Sequence, residues 1–355
     1  MIRILHCVAG LDRGGYEAFI MNVYRHIDRS KIQFDFLYSF DGVYTDEIRK
    51  LGGKLYQIPF ITQKGPFVYR KAVMKFFREH PEYKIVHSHM DKFSGLIMEC
   101  AAKNNVPVRI SHSHSIKNEG NFLFHIVKNY YGKFIAPYCT HRFACSEPAG
   151  LWLFGSSENV SVVKNGVNTQ LFNNTDLRDE NVFTVANIGR FVPAKNHSFL
   201  IDVFSELYKL DNSSRLVLAG TGALMEQIKT KVSDLNLTDY VTFLGDCNNI
   251  PSLLSKTDVV CMPSLFEGLP VTLIETQSAG VPCVISTGIP SEVDITGDVE
   301  FLSLDDSPAV WANKLLECKG KSKSDNREKI INSGYDIYST ANYLQQFYIE
   351  NYRGN

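Results

Sequence analysis

Short apolar runs alternating with longer segments of helical periodicity constrain this 355-residue chain more than any other feature. The order opens with "RILHCVA", "GYEAFIMNVYRHI", "IQFDFLYS", a short helical pattern near 44–51 and "KLYQIP". It continues through "YKIVHSH", "KFSGLIMECAAKN", "VPVRISHS", a long aromatic helical pattern near 120–135, and "HRFACS". Strands buried on both faces read as continuous apolar runs, and the helices between them supply the cover, so the pattern predicts a doubly wound parallel sheet. This first α/β domain is expected over residues 1–165. The polar, asparagine-rich stretch "VKNGVNTQLFNNTDLRDEN" reads as a connection. Beyond it the alternation restarts with "VFTVANIG", "RLVLAG", "VTFLG", "DVVCMP", "VPCVIS" and "VEFLSL", which predicts a second domain of the same class over 166–335. Residues 336–355 form an amphipathic helical tail, "TANYLQQFYIENYRG", whose destination the pattern does not fix.

Charge narrows the class of partner. Thirty-seven Lys and Arg face 38 Asp and Glu, so no global field recruits nucleic acid, and any anionic ligand must be held by local groups. The start "MIRILHCVAG" is too short an apolar run for a signal peptide or a span, and a cytoplasmic protein is expected. Cys7, Cys100, Cys139, Cys145, Cys247, Cys261, Cys283 and Cys318 form no C-x-x-C pair, several sit inside strand-like runs, and they read as reduced core residues and not as a disulfide frame or zinc knuckle.

Open α/β sheets bind ligands beyond the carboxyl ends of their strands, where helix N-termini present backbone N–H groups, and two such domains imply a cleft between facing strand ends. The conspicuous motifs fall at such ends. Gly14 and Gly15 follow the first strand and let backbone approach a bulky anion, though a Gly-Gly turn is also an ordinary strand-to-helix connection. In "GRFVPAKNH", Arg190 and Lys195 flank Pro193; a forked guanidinium and a compact ammonium suit a departing diphosphate, and the alternative is two solvated surface cations. In "MPSLFEGLPVTLIETQSAGVP", Glu267 precedes a helix that begins near Pro270 and carries Glu275. Two carboxylates so placed can each accept hydroxyls from a different sugar ring, with a helix N-terminus between them for phosphate; the alternative is a capping glutamate and a surface helix glutamate, against which the Gly-Leu-Pro turn and the following "SAG" weigh. Hexose, diphosphate, ribose is the order of groups in a nucleotide sugar.

The ordered set "GLDRGGYEAF", "NGVN", "GRFVPAKNH", "LAGTG", "VTFLGD" and "PSLFEGLPVTLIE" resembles the family 4 retaining glycosyltransferases of GT-B fold, which include bacterial capsular and exopolysaccharide enzymes. The most specific element is E-x7-E, met by Glu267 and Glu275. The resemblance implies two Rossmann-like domains facing across a cleft, with a nucleotide diphosphate sugar as substrate and neither cofactor nor metal. It implies that Gly14 and Gly15 lie near the donor diphosphate, that Gly220 in "LAGTG" belongs to the donor site, and that Arg190 and Lys195 neutralise the leaving group. Glu267 would face the donor sugar, Gly268, Leu269 and Pro270 would hold hydroxyls and phosphate through their backbone, and Glu275 would bind the ribose diol. Asn248 to Ile250 would meet the base. Asn168 stands where aspartate is usual, a change expected to touch the connection and not the chemistry.

Two His-Ser-His pairs remain. Alternate residues of a strand share a face, so His87 with His89 and His112 with His114 have the look of a chelate, although no carboxylate or cysteine other than Asp91 completes a local ligand set. The family resemblance instead implies that His112 touches the transferred sugar, with His114 farther out and His87 and His89 on the acceptor side. The segment "NFLFHIVKNYYGKFIAP" (121–137) admits two readings, a lipid-facing helix beside a lipid-linked saccharide acceptor on the inner membrane face, or a core helix with a basic edge. The expected activity is transfer of a hexose to a saccharide or lipid-linked saccharide hydroxyl with retention. A nucleotide-sugar epimerase of the same fold and a non-catalytic nucleotide-sugar-binding protein are the rival readings.

Overall fold

A computed structural model describes residues 1–12, 14–116, 122–172, 176–247 and 249–354, without the side chains of 122 and 123. Asn248, expected at the base, lies outside them. The chain divides into two compact units, Met1–Gly166 with Ile337–Asn355, and Val167–Asp336.

The first unit contains β1 (Ile2–Cys7), α1 (Gly15–His26), β2 (Ile32–Tyr38), α2 (Thr45–Lys50), β3 (Leu55–Gln57), α3 (Ile61–Glu79) and β4 (Ile85–Ser88). Then come α4 (Ser94–Lys103), β5 (Val108–Ser113), α5 (Phe122–Gly132), α6 (Ile135–Tyr138), β6 (His141–Ala144), α7 (Glu147–Phe154) and β7 (Val160–Val162). Its seven strands are parallel in the order β3-β2-β1-β4-β5-β6-β7. The direction of winding reverses between β1 and β4, which makes the crevice above that pair the natural ligand position. β2 is buried at every residue although Gln33 and Asp35 alternate with Ile32, Phe34 and Phe36; the two polar side chains accept from the hydroxyls of Tyr24 and Tyr83.

The second unit contains β8 (Phe183–Ile188), α8 (His197–Leu210), β9 (Ser214–Ala219), α9 (Met225–Asp234), β10 (Val241–Gly245), α10 (Ile250–Ser255) and β11 (Val259–Met262). It continues with α11 (Val271–Ser278), β12 (Cys283–Ser286), β13 (Val299–Leu302), α12 (Pro308–Leu316) and α13 (Arg327–Asn332). Six parallel strands run β10-β9-β8-β11-β12-β13, with the reversal between β8 and β11.

The tail is α14 (Ile337–Arg353), and it belongs to the first unit. Ile337, Thr340, Ala341, Leu344 and Tyr348 form its buried stripe, at the spacing of one helix face, and they join the core that includes Phe19, Val23 and Phe34. Each fully buried aliphatic or aromatic side chain of that stripe contributes about 1.5–3 kcal/mol. Gln345 on the same helix accepts from the backbone N–H of Asp28 at 2.9 Å.

The expected aromatic helix is broken in two, α5 and α6, with Lys133 and Phe134 between them. Phe124, Val127 and Tyr131 pack on the first unit's core, and Lys128 is buried with its ammonium 2.9 Å from Asp91. Ile126 and Tyr130 are exposed on the other face. All eight cysteines are free; Cys7, Cys100, Cys261, Cys283 and Cys318 are buried, while Cys139, Cys145 and Cys247 are half-buried.

Candidate active site

In the second unit the crevice between β8 and β11 gathers the expected cations and the first glutamate. Arg190 lies two residues beyond β8, and Lys195 ends a tight turn at Pro193–Lys195, after which Asn196 takes a left-handed conformation (φ 52°) and α8 begins. The loop after β11 is tied to this turn by the N–H of Leu265, which donates to the carbonyl of Ala194 at 2.7 Å. That bond brings Glu267 over the turn. Lys195 Nζ stands 2.7 Å from Glu267 Oε1, and both side chains are only 16% exposed. The contact is an ion pair by distance but lies off the hydrogen-bond direction, so Oε1 has no hydrogen bond. Arg190 is exposed, and its guanidinium has no hydrogen bond or ion pair to any described residue.

Gly268, exposed, leads to Pro270, which precedes α11 in extended conformation with no side chain capping the helix. The carboxyl of Glu275, on α11, has no partner among the described residues, and burial pushes its pKa up to about 7. A carboxyl without a protein partner can hydrogen-bond hydroxyl groups in either protonation state. Ile250 opens α10, whose N-cap is the side chain of Asn249, accepting from the N–H of Ser252 at 3.0 Å. Gly220 has a packing duty: at φ 145° it lies so close to Gly189 that an added Cβ would stand 2.0 Å from that residue's carbonyl oxygen.

In the first unit, Gly14 caps α1 and Gly15 is exposed. A Cβ on Gly14 would stand 2.1 Å from a carboxylate oxygen of Glu17, so an acidic side chain already covers this helix N-terminus. The ring of Tyr16, the next residue, lies 5.8 Å from that of His114 and 6.3 Å from that of His89. The glycine loop and the histidines are thus neighbours.

The two His-Ser-His pairs form one cluster, joined by His6, which the sequence reading missed. His6 pairs with His87 in the β1–β4 register, and His112 lies on β5, the next strand. Its signal was present in "RILHCVA": the ends of adjacent parallel strands align, so a histidine near the end of strand one meets those of its neighbours. Two hydrogen-bonded chains run through the cluster. In one, Tyr348 Oη is 2.7 Å from His87 Nδ1, and His87 Nε2 is 3.1 Å from His112 Nδ1. In the other, His6 Nδ1 is 3.0 Å from His89 Nε2, and His89 Nδ1 is 2.8 Å from His114 Nε2. Burial lowers the pKa of all five imidazoles, with like-charge repulsion among His87, His89, His112 and their neighbours adding to it, so the rings are neutral. His87 and His112 are 0% exposed, whereas His114, just beyond β5, is half-buried. Of the β5 pair, His114 is therefore the ring nearer solvent.

One nitrogen from each of His89, His112 and His114, and likewise of His6, His87 and His89, falls within a 4.8 Å group. A tetrahedral zinc with bonds of about 2.0–2.1 Å holds its ligand nitrogens about 3.3 Å apart with their lone pairs convergent. The bonded pairs here sit at 2.8–3.1 Å, a hydrogen-bond separation.

Residues 169–336 match the family model described as "Glycosyl transferases group 1". The chain is 36% identical to the putative glycosyltransferase EpsF of Bacillus subtilis (strain 168) over 368 residues, covering 98% of this chain and 96% of that one. It is 29% identical, over 76% of each chain, to the UDP-Gal:alpha-D-GlcNAc-diphosphoundecaprenol alpha-1,3-galactosyltransferase of Escherichia coli. Its fold superposes on that of Anabaena Alr3699/HepE, solved in complex with UDP, with a TM-score of 0.79 at 18% identity, covering 98% of this chain and 99% of that one.

Proposed function

Because the chain belongs to the group 1 glycosyltransferases and has their GT-B fold, we propose that it moves a hexose from a UDP- or GDP-sugar to a hydroxyl of a saccharide or lipid-linked saccharide, with retention and without a metal. The observation that carries this reading is the Lys195–Glu267 pair at the β8–β11 crevice, with Arg190 in the same loop as Lys195 and Glu275 on the following helix, both side chains without a partner among the described residues.

The chemistry follows from those states. Without donor, Glu267 holds the Lys195 ammonium in the crevice. A diphosphate offers that ammonium a more highly charged partner and gives Arg190 a bidentate one, which releases Glu267 to accept hydroxyl hydrogen bonds from the sugar. As the anomeric C–O bond breaks, charge grows on the diphosphate, and Arg190 and Lys195 stabilise it most in the transition state. The acceptor hydroxyl attacks the face from which the diphosphate departs and hands its proton to the leaving oxygen. Glu275 takes the ribose diol, Gly268, Leu269 and Pro270 offer backbone at the α11 N-terminus, and Ile250 borders the base.

For the sugar side of the first unit His112 is the ring that meets the donor, through the Nε2 that has no partner among the described residues, with His114 against it on the solvent side at a ring separation of 4.0 Å. His87 on β4 and His89 just beyond it back His112 and His114 by hydrogen bonds. Gly14 and Gly15 admit the diphosphate only if Glu17 withdraws from the α1 N-terminus.

The acceptor reading rests on the Escherichia coli relative, whose name records a diphosphoundecaprenol substrate. A carrier of that kind places the reaction at a cytoplasmic membrane face, in the assembly of a cell-surface polysaccharide. The contact proposed with that face is peripheral; no helix among the described residues is long and apolar enough to cross a membrane. Thermal-shift measurements across UDP- and GDP-sugars test the donor: a cognate nucleotide sugar at 100 times its Kd adds about 2.7 kcal/mol of stability. Equal midpoints with and without every nucleotide sugar would sink the reading.

A further inference from the structure

The buried hydroxyl of Tyr348, on α14, has His87 Nδ1 as its one hydrogen-bond partner among the described residues. His87 Nε2 in turn faces His112 Nδ1, and His112 Nε2 is buried with no partner. A neutral imidazole has one N–H and one lone pair, so fixing the role of one nitrogen fixes the other. Only two polarities exist for this chain. If Tyr348 accepts, its own proton is left without a partner beside the edge of Phe34, in a core where no ligand can reach it. If Tyr348 donates, His87 carries its proton on Nε2 and donates to His112 Nδ1, and His112 carries its proton on Nε2. The one loose donor then sits at the end of the chain next to His114.

We infer that Tyr348 is a positioning residue: through His87 it fixes His112 as the Nε2–H tautomer, a hydrogen-bond donor that selects a lone-pair acceptor atom on the bound sugar. The tautomer follows from this unit alone, and its catalytic consequence rests on the placement of the β5 histidines beside the donor sugar. The tail helix thereby does more than fill the core. It sets which atom of a ring on β5, three strands along the first sheet's order from β2, is presented to ligand.

Two-bond 1H–15N NMR of the histidine side chains in the full-length protein, with Tyr348→Phe as the variant, tests this. The expected wild-type spectrum has His87 and His112 both protonated on Nε2. In Tyr348→Phe, which removes one oxygen from a packed ring, His112 becomes a mixture of tautomers, and kcat falls about 10-fold while the donor KM stays within about 2-fold. A wild-type His112 protonated on Nδ1, or a Tyr348→Phe spectrum identical to wild type, would overturn the inference even if the variant folded poorly, because the first result needs no variant. Altered tautomers with unchanged kcat would overturn the positioning role and remove His112 from the reacting sugar, while leaving donor binding by the second unit standing.

Discussion

Lys195 and Glu267 meet at 2.7 Å although 71 positions separate them, because the loops that carry them follow β8 and β11, neighbours at the point where the second sheet reverses its winding. On the proposed function the pair is a resting state in which each residue occupies the place of the other's ligand. Replacing Lys195 with Ala is therefore expected to lower kcat/KM by about 10²–10³-fold, the usual scale for removing one group that stabilises developing charge. Glu267→Gln keeps the shape but cannot hold the ammonium, and the double variant should lose less than the sum of the singles. Steady-state kinetics on the three variants checks the coupling; strict additivity would deny it.

Glu275 gives a pH dependence with a defined sign. Burial raises its carboxyl from an ordinary 4.5 to about 7, so in the free protein it gains protons as pH falls through neutrality. If the ionised form accepts the two ribose hydroxyls, as proposed, nucleoside diphosphate binding should strengthen from pH 6 to pH 8 and release protons near pH 7. For the unliganded fold the sign is opposite, since a raised acid pKa contributes stability that is present below about 4.5 and lost as pH rises through about 7. Calorimetry in buffers of different ionisation enthalpy measures the protons, and Glu275→Gln should flatten both trends.

The alternation of strands and helices was readable because a parallel sheet leaves its period in the chain, and E-x7-E because a loop and one helix hold both carboxylates. What stayed hidden depended on long-range neighbours. His6, His87 and His112 lie on strands far apart in sequence and become a cluster only through the order β1-β4-β5. The docking of α14 was equally illegible: its amphipathic stripe says that a face is buried, not in which unit. The duty of Gly220 against Gly189 is a contact between two strand ends, which no local glycine pattern announces.

Away from the site, Asp35 is wholly buried and accepts from Arg3, from the Tyr83 hydroxyl at 2.6 Å and from the Lys54 N–H at 2.7 Å. Asp35→Ala removes the carboxylate partner of a partly buried guanidinium, leaving it the Gly52 carbonyl, and leaves the buried Tyr83 phenol the Tyr56 hydroxyl; it should cost about 3–5 kcal/mol in urea unfolding. The folded fraction should bind nucleotide as wild type does, so a loss of affinity equal to that of Lys195→Ala would count against the site assignment.

The hydrogen-bond separations in the histidine cluster predict that transfer needs no bound metal. Prolonged treatment with a chelator, followed by elemental analysis to confirm removal, should leave kcat unchanged. Loss of activity restored by zinc alone would instead assign the five imidazoles to a metal.

The stereochemistry of the transferred sugar bears most directly on the whole account. Incubating the protein with its donor and a diphosphate-linked saccharide acceptor, then reading the new linkage by 1H NMR, should show an anomeric configuration identical to that of the donor. Nucleoside diphosphate should appear only when acceptor is present and should vanish with Lys195→Ala. An inverted linkage, or an epimerised nucleotide sugar with no diphosphate released, would contradict it.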